Sequence, residues 1–179
     1  MTKTKSSLKI TVIGSQSTGK TSLSRILSEE LNLPFIAEVA RNFKKEQLNP
    51  SYPSYLSIQK EILRLQLQEE SLYNSFVSDR SSLDNLAYYL YGCYDTASDL
   101  DNNSYISQSI NNALNYTHIF FLRPEFKIKN DEFRDTNILY QYNIDNIIKC
   151  ILQLYNINYY MLSGTIENRI KKAMEILER

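Results

Sequence analysis

Residues Gly14-Ser15-Gln16-Ser17-Thr18-Gly19-Lys20-Thr21 form a complete G-x-x-x-x-G-K-T pattern, whose chemistry is phosphate binding. Two of the chain's four glycines stand at the two glycine positions. In such a loop the backbone N–H groups turn inward around phosphate oxygens. The Lys20 ammonium reaches the β- and γ-phosphates, and the Thr21 hydroxyl is placed to ligate Mg²⁺. Ser22 follows within a helical pattern, whose positive dipole end adds to the field on the anion. The apolar run Leu8-Lys9-Ile10-Thr11-Val12-Ile13 leads into the loop as a strand. A glycine turn with an incidental lysine would leave that strand and helix unexplained. The pattern predicts a nucleoside triphosphate site from Gly14 to Ser22, with ATP and Mg²⁺ as cofactors.

The elements that must position this loop alternate along the whole chain. Leu23, Ile26, Leu27 and Leu31 make a helical stripe that Pro34 ends, and Leu33 to Ala37 reads as a second strand. A break at Asn49-Pro50-Ser51-Tyr52-Pro53 precedes a long helix through Ile58, Ile62, Leu65 and Leu72. Phe76-Val77-Ser78 makes a third strand ending at Asp79, and Ser81 caps a helix running to Gly92. A polar stretch from Asp95 to Ser104 leads to a helix ending near Leu114. His118 to Leu122 is a fourth strand, and a helix carries Ile144, Ile147, Ile148, Ile151 and Leu152. Ile157 to Leu162 closes the strands, with a last helix through Ile166, Ile170, Ala173 and Leu177. Five strands separated by helices predict a parallel sheet with helices on both faces. Ligands in such sheets bind beyond the carboxyl ends of the strands.

The strand ends supply the remaining chemistry. Glu38 and Arg41 follow the second strand, spaced to face one crevice across a helical turn. Asp79-Arg80-Ser81 follows the third strand, with Asp84 and Tyr88 one and two turns further along. Arg123, Lys127, Lys129, Asp131 and Arg134 lie in the charged segment after the fourth. Phosphoryl transfer needs triphosphate charge neutralised, a carboxylate to orient nucleophile or Mg²⁺, and cations closing over the transferring group. Lys20 and Thr21 serve the first need, Glu38 or Asp79 the second, and Arg134, Arg80 or Arg123 the third. Plainer readings stand beside these. Asp79 can cap the next helix, Glu38 and Arg41 can pair on the surface, and the 123–135 segment can be a solvated loop. Phe35, Tyr52, Tyr55 and Tyr88 can stack on a base or belong to core and rim. His118, opening an apolar strand, is a structural residue.

At 179 residues the chain is read as a single domain, with residues 1–7 a flexible leader and 123–135 a lid. Twenty basic and twenty acidic side chains give zero net charge, so no global field favours nucleic acid or a membrane surface. No run approaches the roughly 20 apolar residues of a membrane span. Cys93 and Cys150, far apart and outside any C-x-x-C spacing, fit reduced thiols in a cytoplasmic protein. The expected partner is a small nucleoside-like acceptor, and a homodimer is left open.

The loop from Gly14 to Thr21, the Glu38-Val39-Ala40-Arg41 step, Asp79, and Asp131-Glu132-Phe133-Arg134 resemble a small P-loop ATPase/kinase family. That family includes the ribosylnicotinamide kinase domain of bacterial bifunctional NAD-biosynthesis proteins, and the resemblance runs from about Ile10 to Leu177. It implies a lid arginine at Arg134 approaching the γ-phosphate, and an arginine at Arg169 near the adenine. Asp79-Arg80-Ser81…Asp84…Ala87-Tyr88 is similar, locally, to the signature of thymidylate and deoxynucleoside kinases, where the aspartate and arginine serve Mg²⁺ or the acceptor. Ala37 stands where relatives often place a tryptophan, and one histidine cannot make the H-x-G-H motif of the adenylyltransferase half. The expectation is therefore an α/β P-loop NTPase, a three-layer sandwich with a five-stranded parallel sheet, nucleoside/nucleotide-kinase-like. Its activity would be Mg-ATP-dependent phosphoryl transfer to nicotinamide riboside or another nucleoside. Lys20, Asp79, Glu38 and Arg134 would be catalytic, Thr21 and Asp79 would serve the metal, and Glu38, Arg41, Arg80, Asp84 and Tyr88 the acceptor. A nucleoside monophosphate kinase and a regulatory ATPase acting through a protein partner are the alternatives.

Overall fold

The computed structural model describes residues 7–125 and 138–178. Residues 1–6 of the expected leader and 126–135 of the expected lid, with Lys127, Lys129, Asp131 and Arg134, lie outside the described residues. Five parallel strands, β1 (Lys9–Ile13), β2 (Phe35–Ile36), β3 (Phe76–Asp79), β4 (His118–Leu122) and β5 (Tyr160–Leu162), form one sheet in the order β2-β3-β1-β4-β5. Among the described residues six α-helices accompany them: α1 (Lys20–Leu31), α2 (Tyr55–Ser71), α3 (Ser82–Gly92), α4 (Asp99–Ala113), α5 (Ile138–Leu154) and α6 (Ile166–Leu177).

The two faces of the sheet are written in its alternation. Ile10, Val12, Phe120 and Leu122 point to one side and pack with Leu23 and Leu27 of α1 and Ala173 of α6. Ile13, Ile119 and Phe121 point to the other and meet Leu63 of α2, Leu83 and Leu86 of α3, and Ile144 and Ile148 of α5. Burial on both faces explains why these strands read as nearly continuous apolar runs. Each fully buried Leu or Ile contributes about 1.5–3 kcal/mol. The result is a three-layer α/β sandwich.

Register sets the site. Val12 sits beside Asp79 on one flank and Phe120 on the other, so the carboxyl ends of β3, β1 and β4 step out by one residue each along one edge. Two strands are shorter than their apolar runs: Leu33, Pro34 and Ile157 to Tyr159 lie outside them, although the Pro34 carbonyl still accepts from the Val77 N–H of β3 (2.9 Å). The fourth helix starts earlier than its polar sequence announces: Ser98 accepts from the Asp101 N–H as an N-cap, with Asp99 and Asp101 in the favourable first turn. No described helix is long and apolar enough to cross a membrane. Cys93 is buried, Cys150 is exposed, and neither forms a disulfide.

At the amino ends of β1 and β3, Glu70 of α2 is a buried carboxylate. It accepts hydrogen bonds from Gln66 Nε2 (2.7 Å), Tyr116 OH (2.7 Å) and Asn112 Nδ2 (2.8 Å). Burial raises its pKa above the ordinary 4.5, against the lowering effect of those donors and Lys9. The folded state therefore keeps the Glu70 proton to higher pH than the unfolded chain, and stability falls as pH climbs from about 4.5 to the raised native value. In urea unfolding across this range, wild type should lose stability relative to Glu70→Gln as pH rises, with the difference levelling off above the native titration.

Candidate active site

The loop between β1 and α1 is shaped by two glycines with left-handed backbone, Gly14 at φ 144° and Gly19 at φ 91°. A Cβ on Gly14 would stand 2.2 Å from the Leu122 carbonyl oxygen, so the loop lies directly on the end of β4. The amino end of α1 has no side-chain cap and no acidic residue in its first turn, and Lys20 is its first helical residue. That end contrasts with α3, α4 and α6, capped by Ser81, Ser98 and Thr165. Uncapped N–H groups beside a lysine are an arrangement for an anion. Lys20 is buried, and its Nζ donates to the Ser15 carbonyl (2.5 Å) and to Thr18 Oγ1 (3.3 Å), keeping the ammonium at the loop.

Thr21 Oγ1 donates to Asp79 Oδ2 at 2.6 Å, joining the first turn of α1 to the end of β3. The second carboxylate oxygen, Asp79 Oδ1, is buried and has no protein partner. A hydroxyl and an orphaned carboxylate oxygen side by side are hard oxygen donors of the kind Mg²⁺ or its water shell takes, so these residues fit that ion. Asp79 precedes the α3 cap, and the capping itself falls to Ser81, which accepts from the Leu83 N–H.

Beyond β2, Glu38 is buried and held by two arginines. Arg80 Nε donates to Glu38 Oε1 at 2.5 Å, and Arg41 Nε donates to Oε2 at 3.0 Å. The pair read from spacing is thus one half of a buried cluster. Arg80 itself is a non-glycine residue at φ 79°. Its N–H bonds the Val12 carbonyl, and its carbonyl accepts from Thr11 Oγ1 (3.0 Å) and Ser78 Oγ (2.5 Å). These three bonds hold a backbone conformation that costs on the order of 1–3 kcal/mol. They also explain two hydroxyl residues inside otherwise apolar strands. The guanidinium reaches the Gly14 carbonyl (3.4 Å) and Asp84 Oδ1 (3.5 Å) and lies 5.2 Å from the Tyr88 ring centroid. Burial opposes its charge, but Glu38, Tyr88, Asp84 and Asp79 carry its pKa well above the ordinary value.

Asp84 is fully buried under the loop rather than open to a ligand. Oδ1 accepts from the Gly14 N–H (3.0 Å), and Oδ2 accepts from the Ser81 N–H (3.0 Å) and hydroxyl (3.2 Å). Burial raises its pKa, against Arg80, Lys20 and the Gly14 N–H. Its expected contact with the acceptor is corrected by this geometry: both oxygens serve the loop and the α3 cap. Tyr88 remains at the crevice, half-buried, with its hydroxyl donating to Gln16 Oε1 at 3.2 Å. Tyr55 is buried in the core, and Phe35 lies under the Arg25 guanidinium, 4.7 Å from centroid to Cζ. His118 lies parallel to Tyr160 and Phe120, and burial lowers its pKa.

Three supports of the loop and of β4 have contacts that the sequence does not announce. Gln141 at the start of α5 donates to the Gln16 carbonyl (2.6 Å). Arg169 of α6 donates to the Thr18 carbonyl (2.6 Å) and to Glu125 (3.3 Å), whose carboxylate also takes the Gly164 N–H (2.8 Å). Arg169, expected near an adenine, is 1% exposed and braces the loop from behind. Arg123 grips buried Asp145 of α5 through Nε (2.8 Å) and Nη2 (2.5 Å), which fixes the end of β4.

Residues 9–169 match the family described as the AAA domain. The chain belongs to that AAA domain family. No curated protein sequence matches it. Solved structures similar to this AAA domain include deoxyadenosine kinase from M. mycoides, with products dCMP and a flexible dCDP bound. It is 16% identical over 96% of this chain and 98% of that one, with a TM-score of 0.73. The NadR protein in complex with NR is 17% identical at a TM-score of 0.72, over 97% of this chain and 50% of its own. Thymidylate kinase from Candida albicans is 16% identical at a TM-score of 0.68, over 96% and 91%. At such identities the likeness is one of fold.

Removing Arg80 would leave Glu38 and Asp84 buried beside a missing charge. Arg80→Met should therefore cost about 3–5 kcal/mol of unfolding free energy at neutral pH, read from urea denaturation.

Proposed function

We propose that this AAA domain is a Mg-ATP-dependent kinase that phosphorylates a hydroxyl of a nucleoside-like acceptor, nicotinamide riboside among the candidates. The observation that carries the reading is Glu38, a buried carboxylate beyond β2 joined through Arg80 to the carbonyl of Gly14. A carboxylate thus stands on the same rim as the phosphate loop. The fold likeness to deoxyadenosine kinase and thymidylate kinase supports it.

In this reading the loop from Gly14 to Ser22 holds the triphosphate through backbone N–H groups, and Lys20 neutralises the β- and γ-phosphates. Mg²⁺ at Thr21 and Asp79 would supply charge neutralisation on the phosphates. Glu38 accepts the proton of the acceptor hydroxyl as its oxygen bonds to the γ-phosphorus. The bond from that phosphorus to the β-bridging oxygen breaks, and ADP leaves with the electron pair. Arg80 and Arg41 hold Glu38 in place, and Arg134 belongs to the same proposal as the cation that meets the transferring group. Tyr88 walls the acceptor side.

The test is ADP release with Mg-ATP against nucleosides, nicotinamide riboside and nucleoside monophosphates. One neutral acceptor should raise the rate well above background, and Lys20→Ala should abolish the stimulation. Glu38→Gln should lower kcat by about 100-fold or more while ATP still binds, the usual share of a general base. Hydrolysis indifferent to every acceptor would instead identify a regulatory ATPase.

A further inference from the structure

Gln16 occupies the third position of the phosphate loop and is 3% exposed. Its two amide groups are used unequally. The main-chain carbonyl is tied down by Gln141 Nε2 at 2.6 Å. The side-chain Oε1 accepts from the Tyr88 hydroxyl at 3.2 Å. The side-chain Nε2 is buried and has no partner in the protein. Buried donors are nearly always satisfied, so one left over inside a binding loop calls for an oxygen from elsewhere.

Which oxygen follows from what surrounds the amide. Phosphate oxygens in such a loop are taken by backbone N–H groups and the lysine. The Gln16 side chain instead turns toward α3, the helix that carries Tyr88, whose ring lies against the Arg80 guanidinium. Arg80 in turn bonds Glu38. The amide therefore stands at the seam between the donor loop and the acceptor wall, and the Tyr88 hydroxyl fixes which way it faces.

We propose that Gln16 Nε2 donates a hydrogen bond to a sugar hydroxyl of the acceptor, so that this side chain, oriented by Tyr88, selects acceptors rather than holding ATP. The inference rests on the kinase reading above. It makes the third loop position the point where the phosphate site recognises that a ribosyl acceptor is in place. A glutamine is suited to this task, because its N–H accepts no proton and cannot compete with Glu38 for the attacking hydroxyl.

The experiment measures equilibrium affinity and steady-state transfer on the full chain, using adenosine, nicotinamide riboside and the 2′-deoxy and 3′-deoxy adenosine analogues. Two variants are compared with wild type. Gln16→Met keeps length and removes the amide, and Tyr88→Phe removes only the hydroxyl that orients it. Gln16→Met should weaken acceptor binding about tenfold more than it weakens ATP binding, the effect of one lost hydrogen bond of about 1.4 kcal/mol. Tyr88→Phe should move the same ratio in the same direction by less. Wild type should also discriminate against one deoxy analogue, and Gln16→Met should lose that discrimination. If transfer persists but acceptor and ATP affinities change in parallel in both variants, the inference is overturned and the kinase reading stands. If Gln16→Met weakens ATP alone, the amide serves the donor and the inference is likewise overturned. If wild type neither binds nor phosphorylates any of these acceptors, the kinase reading fails and this inference falls with it.

Discussion

The guanidinium of Arg80 is the interaction on which the carboxyl edge of the sheet depends. It is buried with Glu38 on one side, Asp84 on another and the Gly14 carbonyl ahead of it. Three strands' ends meet through this one side chain: β2 through Glu38, β1 through Gly14, and β3 through Arg80 itself. Buried charge of this kind is costly unless every partner is in place, so the cluster tolerates one arrangement. Asp84 extends the same constraint into the loop, since the carboxylate that faces Arg80 also receives the Gly14 N–H. The phosphate loop is thus positioned by a salt-bridge network as well as by its glycines.

Much of this was legible in the residues. The phosphate loop, Asp79, Glu38 with Arg41, and Arg80 with Tyr88 stand out as candidates because strand ends in a parallel sheet converge on one rim. Their pairing was not legible. Nothing in the spacing of Glu38 and Arg80 announces a contact across 42 positions, because strand order is a property of the whole sheet. The insertion of β3 between β1 and β2 is what brings those two side chains together. Asp84 was misread for a related reason. Helical spacing places it on the crevice side of α3 but does not say how deeply the loop overlies it.

The polar residues inside apolar strands were the overlooked signal. Thr11 and Ser78 interrupt runs that burial on both faces would otherwise fill with Val, Ile and Leu. Both donate to the carbonyl of Arg80, and they do so because that residue turns with φ 79°. A hydroxyl in a buried parallel strand thus marks a backbone group outside the ladder that still needs a donor. The same accounting applies to α1, whose amino end lacks the cap that three other helices carry.

The brace from Arg169 to the Thr18 carbonyl spans 151 positions. Such a contact closes only after almost all of the intervening chain has folded, since non-local pairings wait on loop closure. The phosphate loop therefore lacks part of its framework until α6 docks against α1. Loosening α6 would reach the loop directly, by withdrawing the Arg169 guanidinium from the Thr18 carbonyl.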